Sequence, residues 1–461
     1  MFGRPFKIKS MKKFIPLVVI LFLSQVCIAQ LESAFWYFGK NAALDFNSGS
    51  PEIVLNSSMN TLEGCASISN SNGELLFYTD GDTVYNRNHQ IMTNGTGLLG
   101  HNSSTQSAII VQKPGSSHLY YIFTADGLTG GALGLAYSEV NMNLDNGNGA
   151  VTDIKNIELM EKGDEKVCAI KHQNGQDYWI VAKVGEETIY HAYLLTEQGV
   201  DPVPVVSNIG IHNIGIGYLK PSFDGTKIAA AFYNHLFLFP FNSYPFAELY
   251  DFDNSTGELS NYQAIDQDIQ GYNHRGYGVE FSPNNKLLYV SVEREIFQYN
   301  LTAGSTQDIV NSKVVIASAN IPDSVLAFPH MAMQLALDGK IYIASGLSFN
   351  LHVIESPNEI GAACNFIADH IVLNTNSGSN HSYLGLPAFA SDQVVKTPNL
   401  SIQSQHHCLG DNTVFSIDST YFKILLHPTC FHGTLATQTH KPILPMSNRQ
   451  FMYLQVLVIL R

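Results

Sequence analysis

Between residues 31 and 390 the chain alternates short apolar runs with clusters of Asp, Asn, Gly and Ser. The runs are rich in Tyr, Ile, Val and Leu, the composition of half- or fully buried strands. No stretch carries a convincing helical period, which argues against a helical or α/β organisation. One unit recurs: a strand, a tight turn and a second strand. It is found at 69–78, 113–122, 172–180, 222–229, 282–290 and 336–344. The turn residues Gly73, Gly115, Gly175, Gly225, Asn285 and Gly339 are of types that tolerate positive φ. Their spacing of roughly 40 to 60 residues matches a four-stranded propeller blade with its loops.

Six such units leave a ring open. Residues 35–39 and 42–46 read as strands without an inner partner, and 383–389 as an inner strand without followers. Joining the two ends makes a further blade and removes the exposed sheet edges. The expectation is an all-β fold, a seven-bladed β-propeller over residues 31–390, with six or eight blades as alternatives. Each blade has an apolar face that only its neighbours cover, so no unit is expected to fold alone.

The N-terminus reads as an export signal. Lys7, Lys9, Lys12 and Lys13 precede an apolar run from Phe14 to Leu23, and Cys27 and Ala29 stand at small-residue cleavage positions. That run is well short of the ~20 residues a membrane-spanning helix needs. Residues 1–29 are therefore expected to be a cleaved signal peptide, with Met11 an alternative start and no span left after cleavage.

Charged residues make up 14% of the chain, well under the usual ~25%. Asn, Ser, Thr and Gly cover the surface instead, as in turn-rich extracellular β-proteins. A net charge of −14, with no basic cluster beyond the first 13 residues, argues against nucleic acid as a partner. Cys65, Cys168, Cys364, Cys408 and Cys430 remain after cleavage, far apart and without C-x-x-C spacing. They suit neither a disulfide framework nor a zinc site. Cys65 and Cys168 lie in apolar strands and read as buried free thiols.

Several segments together carry a family resemblance: Glu63–Ser69, Leu75–Gly81, Val84–Asn86, His89–Met92, Ser103–Ile110 and Met333–Tyr342. Over residues 31 to 420 the chain resembles large surface proteins of gliding, Bacteroidetes-type bacteria exported by the type IX secretion route. The resemblance implies a WD40/YVTN-like propeller, followed by PKD-type β-sandwich repeats and a sorting domain, on the cell surface or secreted. It supplies no catalytic residues. Residues 391–397 read as a linker and 398–420 as the opening of a PKD-like module, a truncated stub. Residues 421–461 hold no Asp or Glu and show no clean strand alternation, which reads as an atypical tail, frameshifted or disordered.

Candidate sites are few. Thr79-Asp80-Gly81-Asp82 and Asp251-Phe252-Asp253-Asn254-Ser255-Thr256-Gly257 offer carboxylates for a cation. Both lack the spaced acidic positions of a calcium loop and read first as turns. His406-His407-Cys408 has ligand types, but neighbours on an extended chain point to opposite faces. His274-Arg275, His330 and His381 precede predicted inner strands and could share one end of the channel. Glu280, Glu293 and Glu295 lie on or near strands without a recognisable glycosidase pairing. The sequon at Asn102 is of a kind that arises by chance in so Asn- and Ser-rich a chain.

No nucleophile elbow or zinc-protease helix is present. The expectation is thus a monomeric, secreted or cell-surface binding, adhesion or scaffold module engaging glycan or protein partners. No catalytic residue and no cofactor is expected, and the residues leave any metal undetermined. The alternative is a secreted propeller enzyme acting on polysaccharide or a small substrate at the channel mouth.

Overall fold

The computed structural model describes residues 31–394, apart from 128–133, 186, 212–214, 234–244, 268–275, 293, 320–328, 347 and 374–379, together with the strands Ile402–Gln405 and Val414–Ile417. Seven antiparallel sheets follow one another along residues 30–396 and form a seven-bladed β-propeller. Blade 1 is Phe35–Phe38, Ala42–Asp45 and Glu52–Ile53. Blade 2 is Ala66–Ser69, Leu75–Thr79 and Val84–Asn86. Blade 3 starts with Ala108–Gln112 and Leu119–Ala125, blade 4 with Gly163–Lys171 and Tyr178–Val184. Blades 5, 6 and 7 open with Leu219–Pro221, Gly276–Phe281 and Met333–Leu335, each followed by three more strands. The only α-helix among the described residues is a single turn, Thr306–Asn311, started by a reciprocal Ser305–Asp308 capping box.

The six turns read from the sequence all adopt positive φ, from 58° at Asn285 to 81° at Gly73 and Gly339. They join the first and second strands of blades 2 to 7, so they gather at one end of the propeller, here the hairpin end. The opposite end carries the starts of the inner strands.

Packing between blades follows the aromatic second and third strands. Buried clusters link blades 2 and 3, blades 3 and 4, and blades 4 and 5, and one large cluster joins blades 5, 6, 7, 1 and 2. Ring closure rests on blade 1. Tyr37 stacks on Tyr78 of blade 2 at 4.1 Å, while Trp36 and Phe46 meet Tyr342 of blade 7 at 5.9 and 5.7 Å. Aromatic pairs of this kind add about 0.5–1.5 kcal/mol each beyond the area they bury.

The expected inner strand over 383–389 takes a different form. His381 and Lys40 exchange backbone hydrogen bonds of 3.0 Å in each direction, which ties this segment to blade 1. From there the chain leaves the blade. Leu384 accepts from Ala332 and donates to Leu62; Pro387 bridges Cys65 in parallel, and Ala388 donates to Cys65. The Tyr218 hydroxyl contacts both backbone groups of Leu386, Ser391 donates to Ala169, and Ser33 Oγ donates to Gln393 at 2.6 Å. Residues 381–393 thereby touch blades 1, 2, 4, 5 and 7. Only the central channel is adjacent to all of these, so the segment runs down the axis. It ends at the hairpin end, where Asp392 meets Lys171 at 3.5 Å and the Tyr178 hydroxyl at 2.9 Å.

Ile402–Gln405 and Val414–Ile417 form a separate two-stranded antiparallel ladder. The signal-peptide reading and the 421–461 tail lie outside the described residues. No helix among the described residues is long and apolar enough to cross a membrane.

Candidate functional site

Ionisable side chains converge where the inner strands begin. Glu63 precedes the first strand of blade 2, Thr105 that of blade 3, and Glu165 lies within the first strand of blade 4. Glu63 accepts from Tyr277 at 2.8 Å and from Ser103 at 3.2 Å. Glu165 takes the Thr105 backbone N–H at 2.9 Å and its hydroxyl at 2.7 Å. The same hydroxyl lies 3.4 Å from Glu63 and accepts from Gly217 N–H at 3.2 Å. Its one proton serves Glu165, so a hydrogen bond to Glu63 needs a proton from Glu63 itself. Burial, and then the neighbouring Glu165 charge, lift Glu63 from 4.5 to about 7. A half-buried carboxyl titrating near neutrality beside a second carboxylate has the parts of a general acid–base pair. Gly385 of the axial segment packs directly on the Glu63 backbone.

A second cluster joins blades 4 and 5. Lys166 and Lys183 lie 3.8 and 3.9 Å from the same oxygen of Asp164, all three fully buried. Lys166 also donates to the Gly215 carbonyl and sits 4.6 Å over the Phe232 ring. Glu248 accepts from Tyr250 and from Ile211 N–H. Burial holds Lys166 down to about 8 and raises Asp164 to about 6 and Glu248 to about 7. A third tie runs through blades 5, 6 and 7. Lys220 lies 3.3 Å from Glu280 and donates to Gln334, while Glu280 accepts from Leu335 N–H at 3.1 Å. This last arrangement bolts one inner strand to the next.

The residues singled out from sequence fall apart into local roles. Asp80 caps its own turn, accepting from Asp82 and Thr83 backbone N–H groups, and Asp253 does the same for Ser255. Asp251 pairs with Lys227 at 2.5 Å. His330 packs on His352 at 5.2 Å, whereas His381 stacks between Phe349 and Tyr383, so each has its own neighbours. Glu280 is a buried strand-to-strand tie, and Glu295 sits half-buried in a ladder. Cys65, Cys168 and Cys364 are buried free thiols. His274, Arg275, Glu293, His406, His407 and Cys408 lie outside the described residues. Among the described residues no group of three or more His, Cys, Asp or Glu is placed to hold a metal ion.

The Glu63–Glu165–Tyr277 group was not anticipated. Its members are separated by as many as 214 positions, so no local motif marks them. Lys166 follows Asp164-Glu165 in a charged run, so nothing local marks it as buried.

No family model and no curated protein matches the chain. Solved structures do. A Kuenenia stuttgartiensis hydrazine synthase chain matches at 14% identity and a TM-score of 0.42, over 68% of this chain and 89% of that one. A Bacteroides uniformis protein solved as a candidate 6-phosphogluconolactonase matches at 14% identity and 0.45, over 74% and 96%. The extracellular domain of a Bacteroides thetaiotaomicron hybrid two-component system matches at 12% and 0.38, over 83% and 39%. At this level of likeness their activities are theirs alone.

Proposed function

We propose that this chain is a secreted or cell-surface, non-catalytic binding or scaffold module that offers its propeller surfaces to glycan or protein partners. One observation carries the reading. The axial segment is bonded to five blades within the channel, leaving the outer surfaces to meet partners. Export is supported by the basic and apolar N-terminus, and a type IX, PKD-bearing surface protein by the sequence signature. The test is to present the purified chain to arrays of glycans and surface proteins, with hydrolase activity assayed on every glycan that scores. Retention without turnover is expected; turnover would overturn the reading.

The Glu63–Glu165 pair favours a second reading, an enzyme working at the strand-start end, and Glu63→Gln separates the two. The folded protein keeps the Glu63 proton between about pH 4.5 and 7, where the unfolded chain has released it. Stability therefore falls as pH rises through that window. Glutamine mimics the protonated acid: its Oε1 accepts from Ser103, and its amide N–H donates where the acid proton did, with the Tyr277 hydroxyl turning to accept. At pH 8 the variant is expected to be more stable than wild type by about 1–3 kcal/mol, and equal to it near pH 4 in urea titrations. In the binding reading partner affinity is unchanged; in the enzyme reading turnover is lost.

A further inference from the structure

We infer that the groove between blades 3 and 4, at the hairpin end, is a binding site for a neutral oligosaccharide. The inference rests on the binding-module reading and gives it a place and a ligand class.

The groove encloses about 520 Å³ between the 113–118 turn of blade 3 and the start of Tyr178–Val184 in blade 4. A second cavity of about 480 Å³ shares Lys113, Ser117 and Glu197 and continues along the other side of that turn to Gln198. The two share the 113–117 turn and Glu197 and make one cleft around that turn.

Its walls are held in place. Gln112 Nε2 donates to the Ser116 carbonyl at 2.7 Å, and Ser116 Oγ accepts from Leu119 N–H at 3.1 Å, which fixes the turn. Across the cleft Lys171 lies 3.8 Å above the Tyr178 ring and 3.5 Å from Asp392. Asp177 accepts from Asn174 at 2.6 Å. A cleft pre-formed in this way spends little binding energy on ordering its side chains.

The lining chemistry selects the ligand. Lys113 and Lys171 are matched by Asp177 and Glu197, so the cleft is balanced within a chain of net charge −14. Neither sign of charge dominates, so a polyanion or a polycation gains no net attraction there. Lysine, glutamine and serine side chains line the cleft together with carboxylates, and hydroxyl groups can both donate to and accept from such a lining. Water-bridged contacts suit so open a cleft.

The experiment titrates the full chain with short uncharged oligosaccharides from β-glucan, xylan and mannan, with a sulfated oligosaccharide and pentalysine as charged controls. At least one neutral oligosaccharide is expected to bind with a dissociation constant below about 1 mM, and neither control to match it. The double variant Lys113→Ala/Glu197→Ala is expected to weaken binding about tenfold or more with its thermal unfolding unchanged, and Ser117→Trp to block the cleft sterically. Undiminished glycan binding by both variants would overturn the groove assignment while leaving the binding-module reading intact. Preference for a charged control, or no binding of any neutral oligosaccharide, would overturn the ligand class. Hydrolysis of a bound glycan would instead sink the non-catalytic reading.

Discussion

Replacing Gly385 with valine is expected to drive the axial segment out of the channel. An added Cβ at this position would lie 2.0 Å from the Glu63 carbonyl oxygen and 2.4 Å from its carbon. Both are backbone atoms, so no side-chain rotation relieves the contact. Glu63 is itself held by Tyr277 and Ser103, and Leu384 is bonded to Leu62. Overpacking a tight core costs about 1–3 kcal/mol even where side chains can move, and here the neighbours cannot. The cheaper escape is for the segment beyond Leu384 to leave. The variant should then lose the buried contacts of Leu386, Ala388 and Ala390 together. Limited proteolysis is expected to cut between residues 384 and 394 in the variant, while wild type resists there. Serine at the same position carries the same Cβ and should show the same cleavage. A valine variant as resistant as wild type would mean that the segment is not seated as described.

Lys166→Met is expected to destabilise the propeller by about 1–3 kcal/mol at pH 8, because buried Asp164 loses one of the two cations that face it. Asp164 keeps Lys183 at 3.9 Å but loses its nearer cation, and Glu248 loses part of the positive field that offsets its burial. The penalty should shrink on acidification. Asp164 and Glu248 already titrate near 6 and 7, and without Lys166 both move higher, so below about pH 5 the folded variant holds them neutral. Urea midpoints for wild type and variant should therefore converge from pH 8 toward pH 5. A constant gap across that range would show that methionine fails for reasons of shape, not of charge.

The fold was legible because its constraint is local. Each hairpin needs a positive-φ residue at one position, and Gly73, Gly115, Gly175, Gly225, Asn285 and Gly339 announce it without reference to the rest of the chain. Tyr342 and Tyr78 could be placed on second strands from the same pattern. The axial segment was legible only in part. Apolar residues at 384, 386 and 389 suggested an inner strand, yet Pro387 has no N–H to donate and Ala388 and Ala390 are small. Those three residues suit a chain squeezed between blades, and their contacts with five blades could not be read from one stretch. The carboxylate pair was illegible for a related reason: Glu63 meets Ser103, Thr105 and Tyr277 through the closure of the ring. Lys166 and Lys220 lie in inner strands among buried neighbours, and only the three-dimensional arrangement says which acid each one answers.

The axial segment also determines how the protein responds to tension on its tail. Tension applied at Val394 is carried through the run from His381 to Gln393. The bonds from Ala388 to Cys65, Ser391 to Ala169 and Ser33 to Gln393 lie across that direction and share the force. A tether loaded in this shearing mode yields only when its fasteners give way together, whereas a peeled strand loses them singly.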